Sequence, residues 1–176
     1  MRPHLVYLIG EPGAGKSTLM SSVTSRYLRV PIEGKPRRDG LFHRRGDLAA
    51  VELGCRRGAF SGTDALGMTV IEQAVPYLAQ QESHVLLAEG ARLANARFLT
   101  AAVDAGYVVS LLLLDHPRIA EWRDARAAKL GKAQSESWVR GARTRAHNLA
   151  DNPPAGVAVT RGNVESITAY IEECLP

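Results

Sequence analysis

Three kinds of feature are scarce or missing in this chain. Its 176 residues include only two cysteines, Cys55 and Cys174, which share no metal-ligand spacing with each other or with a histidine. This scarcity predicts reduced thiols in a cytoplasmic protein and argues against a disulfide framework or a zinc site. The longest apolar stretch, Val108 to Leu114, is too short to cross a bilayer, and the first residues do not read as a secretory signal. We therefore expect no membrane partner.

Positive charge is spread unevenly along the chain. The net charge is +4, yet basic residues outnumber acidic ones in segments 35–57 and 118–145, and the remainder is net negative. The basic residues of the two segments are Lys35, Arg37, Arg38, Arg44, Arg45, Arg56, Arg57, Arg118, Arg123, Arg126, Lys129, Lys132, Arg140, Arg143 and Arg145. Clustered cations predict polyanion partners, although an ordinary solvated surface has the same composition.

Short apolar segments alternate with amphipathic ones. The apolar segments predict buried strands at 4–9, 85–88, 107–114 and 157–160, and shorter strands near 28–32 and 48–53. The amphipathic segments predict helices at 15–28, 94–105, 117–130, 136–149 and 164–174, and a further helix that follows the capping residues 61–64 and runs to about 80. This alternation is typical of one α/β domain over 1–176, with a parallel sheet of about five strands and helices on both faces. Ligands of such sheets bind at the carboxyl ends of the strands.

The segment GEPGAGKS, Gly10 to Ser17, lies between a predicted strand and a predicted helix. It matches G-x-x-x-x-G-K-[ST], the pattern of a phosphate-binding P-loop. Its glycines let several backbone N–H groups surround an anion, and the start of the helix adds more. We expect ATP and Mg²⁺ here, with Lys16 on the β- and γ-phosphates and Ser17 as a metal ligand. The predicted nucleotide-binding residues are Gly10, Glu11, Pro12, Gly13, Ala14, Gly15, Lys16, Ser17 and Thr18.

Glu89 lies where a second predicted strand leaves the core. Two functional roles fit a carboxylate at this position: a base that accepts a proton from an attacking hydroxyl, or an outer ligand of Mg²⁺. The alternative is an ordinary carboxylate on a solvent-facing loop. Arg92 follows three residues later. It could hold an anionic acceptor, orient Glu89, or be an ordinary surface arginine.

The predicted helices at 117–130 and 136–149 are rich in arginine. Two such helices joined by a short loop are typical of a lid that excludes water and brings positive charge to the transferred phosphoryl group. The alternative is a solvated arginine face. The inner side of the second helix is predicted from its apolar residues Trp138, Ala142, Ala146 and Leu149. The lid residues for which we predict a catalytic role, beside Lys16 and Glu89, are Arg123, Arg140 and Arg143.

These features together resemble the small P-loop kinases of the nucleoside monophosphate kinase type. The resemblance rests on the P-loop at 10–17, the acidic strand end at Glu89, and the arginine-rich helices before a final strand and helix. It implies a P-loop NTPase three-layer sandwich that transfers the γ-phosphoryl group of Mg·ATP. It further implies that 29–64 is an acceptor-binding insert and that 117–149 is a helical lid. We expect a monomer or a homodimer.

A narrower likeness concerns GCRRGAFSGTDALGM, Gly54 to Met68, together with LLAEGARLAN. Both segments are similar to phage-type P-loop kinases, including those that phosphorylate hydroxymethyluracil within DNA. The likeness implies that the two basic segments contact the DNA backbone, whose charge favours clustered Arg and Lys. Alternatively, SGTDAL is only a helix cap. The residues that would border the acceptor pocket are Arg56, Arg57, Ser61, Thr63 and Asp64, with Arg92 beside them.

Other classes of nucleotide-binding protein fit the sequence less well. A GTPase switch reads guanine through an N-K-x-D motif, and no asparagine in this chain is followed by lysine. Two alternatives stay open: a kinase of a non-nucleotide small molecule, and a non-catalytic module that binds ATP and nucleic acid. The basic segments favour the module, whereas the Lys16-Ser17 pair beside Glu89 favours a kinase.

Overall fold

The computed structural model describes residues 2–55, 61–130 and 135–176. Within them, seven strands form one sheet, and their bounds are β1 His4–Ile9, β2 Leu28–Ile32, β3 Arg38–Phe42, β4 Leu48–Leu53, β5 Val85–Glu89, β6 Val108–Leu114 and β7 Val157–Gly162. The same residues form α1 Lys16–Thr24, a short 3-10 helix Gly62–Ala65, α2 Ile71–Leu78, α3 Ala96–Asp104, α4 Ile119–Leu130, α5 Glu136–Asp151 and α6 Val164–Cys174.

The sheet has the order β2-β3-β4-β5-β1-β6-β7. From β4 to β7 all neighbouring strands are parallel, which gives the five-stranded parallel sheet expected from the sequence. The central strands β1, β5 and β6 are almost entirely buried, because helices cover both of their faces. The predicted α/β fold is therefore confirmed.

The sheet is wider than expected because β2 and β3 extend it with two antiparallel pairings. No strand is predicted at β3, whose sequence RDGLF opens with two charges and a glycine. Both charges are buried against residues distant in sequence: Arg38 pairs with Glu82, and Asp39 pairs with Arg29. Arg29 also pairs with the buried carboxylate of Glu52. A pattern of apolar residues cannot reveal a strand that is buried by ion pairs.

The prediction of a single helix that follows residues 61–64 and runs to about 80 is wrong. A 3-10 helix ends at Ala65, Leu66 is extended, and α2 begins only at Ile71. Ser61 makes no side-chain cap hydrogen bond, because its hydroxyl and the side chains of Thr63 and Asp64 bond to the end of β5 and the loop after it. The alternative interpretation of SGTDAL as a helix cap is thereby wrong as well.

Helices form a layer on each face of the sheet. Apolar residues of α1, α4 and α6 pack on one face, and those of α2, α3 and α5 pack on the other. Within α5, Ala146 and Leu149 pack against the core as predicted, but Trp138 is 48% exposed and the neighbouring Val139 is buried instead. No helix in the described ranges has the length and apolar character needed to cross a membrane.

Candidate active site

The P-loop lies at the carboxyl edge of the parallel sheet. Strand β1 ends at Ile9, the loop follows, and α1 begins at Lys16. Because β5 and β1 are parallel neighbours, Glu89 pairs in register with Leu8, so its side chain emerges beside the loop. This edge is where ligands bind in open α/β sheets, and it collects the predicted phosphate and proton-transfer residues.

The Lys16 side chain folds back over the loop. Its Nζ donates to the backbone oxygens of Gly10 at 3.1 Å and Glu11 at 3.0 Å. Gly15, with a φ of +86°, precedes the first turn of α1, whose leading N–H groups have no partner within the helix. An ammonium and a set of helix N–H groups directed at one loop suit a polyphosphate.

Glu89 is the centre of a hydrogen-bond cluster. Its carboxylate is buried, and the residue is only 1% exposed. Oε1 accepts a hydrogen bond from Ser17 Oγ at 2.9 Å and another from Ser61 Oγ at 3.1 Å. One carboxylate oxygen thus joins the hydroxyl of the P-loop to the segment that precedes the 3-10 helix.

Burial raises the pKa of Glu89 above its ordinary value, because the charged carboxylate loses its hydration. The hydrogen bonds from Ser17 and Ser61 and the positive charge of Lys16 oppose this rise, and the negative charge of Asp64 adds to it. A carboxylate whose pKa is raised holds a proton more readily than an ordinary one, which suits a proton acceptor.

Segment 61–64 is fastened to the end of β5 by several hydrogen bonds. Thr63 Oγ1 donates to the Glu89 backbone oxygen at 2.9 Å, and Asp64 Oδ1 accepts from the backbone N–H groups of Ala91 and Arg92 at 2.8 and 3.2 Å. Gly62 lies directly against the Glu89 carboxylate, since a Cβ there would come within 2.4 Å of Oε1. Ser61, Thr63 and Asp64, all predicted to border the acceptor, therefore lie around Glu89.

Arg92 lies beside this cluster and is partly buried. One of its terminal nitrogens contacts the Met68 sulfur, and Met68 is 81% exposed. Its buried Nε has no hydrogen-bond partner among the residues that the structure describes. An unsatisfied guanidinium nitrogen at the site's edge could donate to an anionic acceptor.

Arg123, one of the predicted lid arginines, contacts the P-loop. Helix α4 packs so tightly on the loop that a Cβ at Gly13, whose φ is +85°, would lie 2.8 Å from the Arg123 Cβ. The guanidinium donates to Glu11 Oε2 at 3.5 Å and is 26% exposed. Any phosphate in the loop would therefore lie close to this charge.

Comparison with known families matches residues 1–175 to the model of P-loop Nucleotide Kinase3. The chain belongs to this family. Membership implies ATP-dependent phosphoryl transfer, normally with Mg²⁺, and leaves the acceptor open. No curated protein matches the chain.

The remaining predicted residues of this P-loop nucleotide kinase fall into three groups. Arg140 and Arg143 are exposed on α5, which packs on the opposite face of the sheet from α1 and α4, and neither makes an ion pair with any described residue. Their predicted role stays a prediction. Arg56 and Arg57 lie outside the described residues. In the loop itself, Ala14 is buried, Pro12 is partly buried, and Thr18 is exposed.

Tyr7 is a residue of the site region that the sequence analysis missed. It is fully buried on β1, and its hydroxyl lies 3.2 Å from Thr63 Oγ1. Because Thr63 uses its own proton on the Glu89 backbone oxygen, we assign the Tyr7 hydroxyl as the donor. Tyr7 also packs edge-on against Phe98 at 6.0 Å. In sequence it is one apolar residue of a buried strand, and no signal there distinguishes it.

Proposed function

We propose that this P-loop nucleotide kinase transfers the γ-phosphoryl group of ATP to a hydroxyl of a nucleoside- or nucleotide-type acceptor, including a hydroxymethylated base within DNA. The observation that carries the proposal is the Glu89 carboxylate, held at once by Ser17 of the P-loop and by Ser61 of the predicted acceptor segment. Phosphate binding alone would not require a buried carboxylate at this junction.

The donor side of the site is built by the P-loop. Lys16 and the first N–H groups of α1 would hold the β- and γ-phosphates, and Arg123 would offset charge on the γ-phosphoryl oxygens. The present contact of Arg123 with Glu11 Oε2 is long, at 3.5 Å, so phosphate oxygens can replace it.

The residues present also fit Mg²⁺. Ser17 donates its proton to Glu89, which leaves the lone pairs of its oxygen available to a cation, and the residue is exposed. Magnesium bound there would neutralise charge on the β- and γ-phosphates. Glu89 keeps the Ser17 hydroxyl in the orientation that this requires.

The acceptor side is formed by 61–64, within the proposed insert 29–64, and by Arg92, which follows β5. As the acceptor oxygen bonds to the γ-phosphorus, the bond from that phosphorus to the β–γ bridging oxygen breaks, and ADP leaves. The hydroxyl proton passes to Glu89, whose raised pKa favours accepting it. Arg92 would hold an anionic part of the acceptor through the nitrogen that now lacks a partner.

The test is ADP release from ATP across a panel of nucleosides, nucleotides, small alcohols and hydroxymethylated DNA. We expect acceptor-dependent release with one nucleoside-type class and its loss in Lys16→Ala, with circular dichroism showing that the variant is folded. Release with small alcohols alone would overturn the acceptor class. Binding of DNA and ATP without any release would favour the non-catalytic alternative, and wild-type turnover in Lys16→Ala would contradict the proposed site.

A further inference from the structure

Tyr7 lies on β1, the strand that leads into the P-loop, three residues before Gly10. Its backbone pairs in register with Ala88, the residue before Glu89 on β5. The side chain is fully buried. A buried hydroxyl lowers stability unless it is hydrogen-bonded, and phenylalanine would fill the same space without that cost. The hydroxyl of Tyr7 therefore calls for a local reason.

Two hydrogen bonds connect this hydroxyl to the end of β5. Thr63 Oγ1, 3.2 Å away, accepts the Tyr7 proton, because Thr63 donates its own proton to the Glu89 backbone oxygen at 2.9 Å. Burial raises the pKa of Tyr7 above its ordinary value, so the phenol keeps its proton and remains a donor. Tyr7 and Thr63 are both fully buried, so water does not compete for either bond.

Ring packing holds the Tyr7 hydroxyl in one place. The ring meets Phe98 of α3 edge-on, with centroids 6.0 Å apart and planes inclined by 74°. Leu66 and Leu93, which follow segment 61–64 and the end of β5 along the chain, belong to the same buried cluster. A close-packed interior leaves an aromatic ring little freedom to change rotamer. The hydroxyl is therefore a fixed point relative to which its hydrogen-bond acceptor is placed.

Segment 61–64 has little space around the Glu89 carboxylate. Ser61 Oγ donates to Oε1 at 3.1 Å, and a Cβ at Gly62 would lie 2.4 Å from the same oxygen. At such close approach, a small displacement of Thr63 would move Ser61 and Gly62 relative to the carboxylate. The position of Thr63 thus affects the geometry of the proposed base.

Tyr7 also relates the segment to the phosphate-binding side of the site. Asp64 Oδ1 holds the segment to the loop after β5, through the backbone N–H groups of Ala91 and Arg92. The Tyr7 hydroxyl holds it to β1, whose last residue, Ile9, directly precedes the P-loop. Strand β1 is buried between two parallel neighbours, and core strands are among the last parts of a protein to open. Its position therefore fixes the distance between the P-loop and the acceptor side.

We propose that Tyr7 is a positioning residue for phosphoryl transfer, because its hydroxyl, acting through Thr63, fixes segment 61–64 against the end of β5. The segment in turn keeps the Glu89 carboxylate in place for the acceptor. The inference rests on the proposed function, in which Glu89 is the base. Tyr7 is not a catalytic residue, since its side chain has no exposed surface with which to touch a ligand. Reactions between positioned groups lose rate steeply when the geometry loosens, so the loss of one remote hydroxyl has a measurable effect.

The first test measures how firmly the segment is held, and it needs neither ATP nor an acceptor. The backbone N–H of Leu66 donates to the Thr63 backbone oxygen at 3.0 Å, and that of Ala91 donates to Asp64 Oδ1. Hydrogen exchange of these two N–H groups, followed by NMR, therefore reports on the segment. Loss of one buried hydrogen bond in Tyr7→Phe should speed both exchanges about fivefold.

Tyr77→Phe is the matched control. Tyr77 is 2% exposed, and its hydroxyl donates to Glu82 Oε2 at 2.8 Å, at the opposite end of β5 from Glu89. The change also removes one hydrogen-bonded hydroxyl from a buried ring, but it should leave both exchange rates unchanged. Equal acceleration in the two variants would mean that a general loss of stability loosens the segment, and it would overturn the proposal. Unchanged exchange in Tyr7→Phe would contradict it as well.

The second test separates turnover from nucleotide binding, with an acceptor that supports ADP release. We expect Tyr7→Phe to lower kcat about fivefold and to leave KM for ATP unchanged, because the P-loop does not depend on Thr63. Tyr77→Phe should keep wild-type kcat. Thr63→Val should lower kcat at least as much, and adding Tyr7→Phe to it should cause little further loss, since Tyr7 acts through Thr63. Losses that multiply in the double variant would show that the two residues act independently and would overturn the proposal.

The outcomes distinguish this inference from the proposed function. Faster exchange in Tyr7→Phe with a wild-type kcat would overturn the positioning role and leave the kinase proposal standing. A raised KM for ATP with an unchanged kcat would also contradict it, since Tyr7 would then act on the P-loop. If no acceptor supports ADP release in the wild type, the proposed function is wrong, and the positioning role for that reaction is wrong with it.

Discussion

Two glutamates lie at the two ends of strand β5, and their hydrogen-bond partners differ in charge. Glu82, before the strand, is gripped by Arg38: Nε lies 2.6 Å from Oε2 and Nη2 3.0 Å from Oε1, while the Tyr77 hydroxyl donates to Oε2 at 2.8 Å. Among the residues that the structure describes, the hydroxyls of Ser17 and Ser61 donate to the carboxylate of Glu89, the last residue of the strand. The hydrogen bond from Arg38 lowers the pKa of Glu82, whereas burial raises the pKa of Glu89.

This difference is the one expected between a structural carboxylate and the proposed base. Glu82 has a guanidinium that stays in place, so its charge is compensated in the resting protein. Glu89 is more deeply buried, and its described hydrogen-bond donors are two neutral hydroxyls, an arrangement that costs stability unless a ligand brings a cation or a proton. Such a cost is typical of functional sites.

Neutralising each glutamate in turn should give the largest difference in turnover between the two sites. We expect Glu89→Gln to lower kcat by about 100-fold or more, because the base is lost while the shape of the site is kept. Its affinity for nucleotide should change little. Glu82→Gln is the matched control and should retain wild-type turnover. Equal effects of the two changes, or a change in KM alone for Glu89→Gln, would contradict the proposed base.

Removing the positive charge of Arg38, beside Glu82, should lower the stability of the protein and leave its turnover unchanged. Arg38 is 7% exposed, stacks over the Tyr77 ring at 4.8 Å and pairs with Glu82. Arg38→Met should lower the free energy of unfolding by about 2 kcal/mol, since it removes charged hydrogen bonds from a partly buried carboxylate. Urea denaturation measures this, with the exposed neighbour Arg37→Met as control. Equal midpoints for both variants would show that the pair has no structural role.

A smaller loss of kcat is expected when a neighbouring residue is enlarged so that it displaces the Glu89 side chain. An added Cβ in Gly62→Ala would come 2.4 Å from Glu89 Oε1, so the carboxylate must move, and we expect kcat to fall about tenfold. Gly46 has a φ of +101° and no atom within 4 Å of its Cβ position. Gly46→Ala therefore strains the backbone far from the site and should leave kcat unchanged. Similar losses in both variants would mean that the loss comes from backbone strain.

The smallest expected effect concerns the pH dependence of stability, to which Glu82 and Glu89 should contribute with opposite signs. Both glutamates start from an ordinary pKa of 4.5. Because the pKa of Glu89 is raised in the folded protein, stability falls as pH rises above 4.5, so Glu89→Gln should be more stable than wild type at neutral pH. The pKa of Glu82 is lowered, so its contribution is present above 4.5 and is lost in acid, and Glu82→Gln should be less stable at neutral pH. Unfolding in EDTA without nucleotide, measured from acid to neutral pH, tests both signs, and equal signs would contradict the comparison.

The sequence revealed the parts of the site that depend on local chemistry. The P-loop is one continuous segment whose glycines, Lys16 and Ser17 match a single motif, and Glu89 could be placed because a buried apolar strand ends there. The P-loop and the position of Glu89 can both be predicted from the residues next to them in the sequence. Parallel strands then bring their ends to one edge of the sheet.

What the sequence did not reveal depends on partners distant along the chain. Strand β3 is buried through pairs with residues 29 and 82, and segment 61–64 bonds to residues 89–92 instead of capping its own helix. The exposure of Trp138 is a related case. Helical periodicity shows which residues share a face of α5, but it does not show that Val139 is the one that the core covers.

The most direct test of the whole account is a crystal structure with Mg²⁺ and a non-hydrolysable ATP analogue. We predict density for the β- and γ-phosphates among the N–H groups of 10–17, a cation on Ser17 Oγ, and Lys16 Nζ turned from the Gly10 and Glu11 oxygens to the phosphates. Density at another place, or an empty loop at millimolar analogue, would contradict the account.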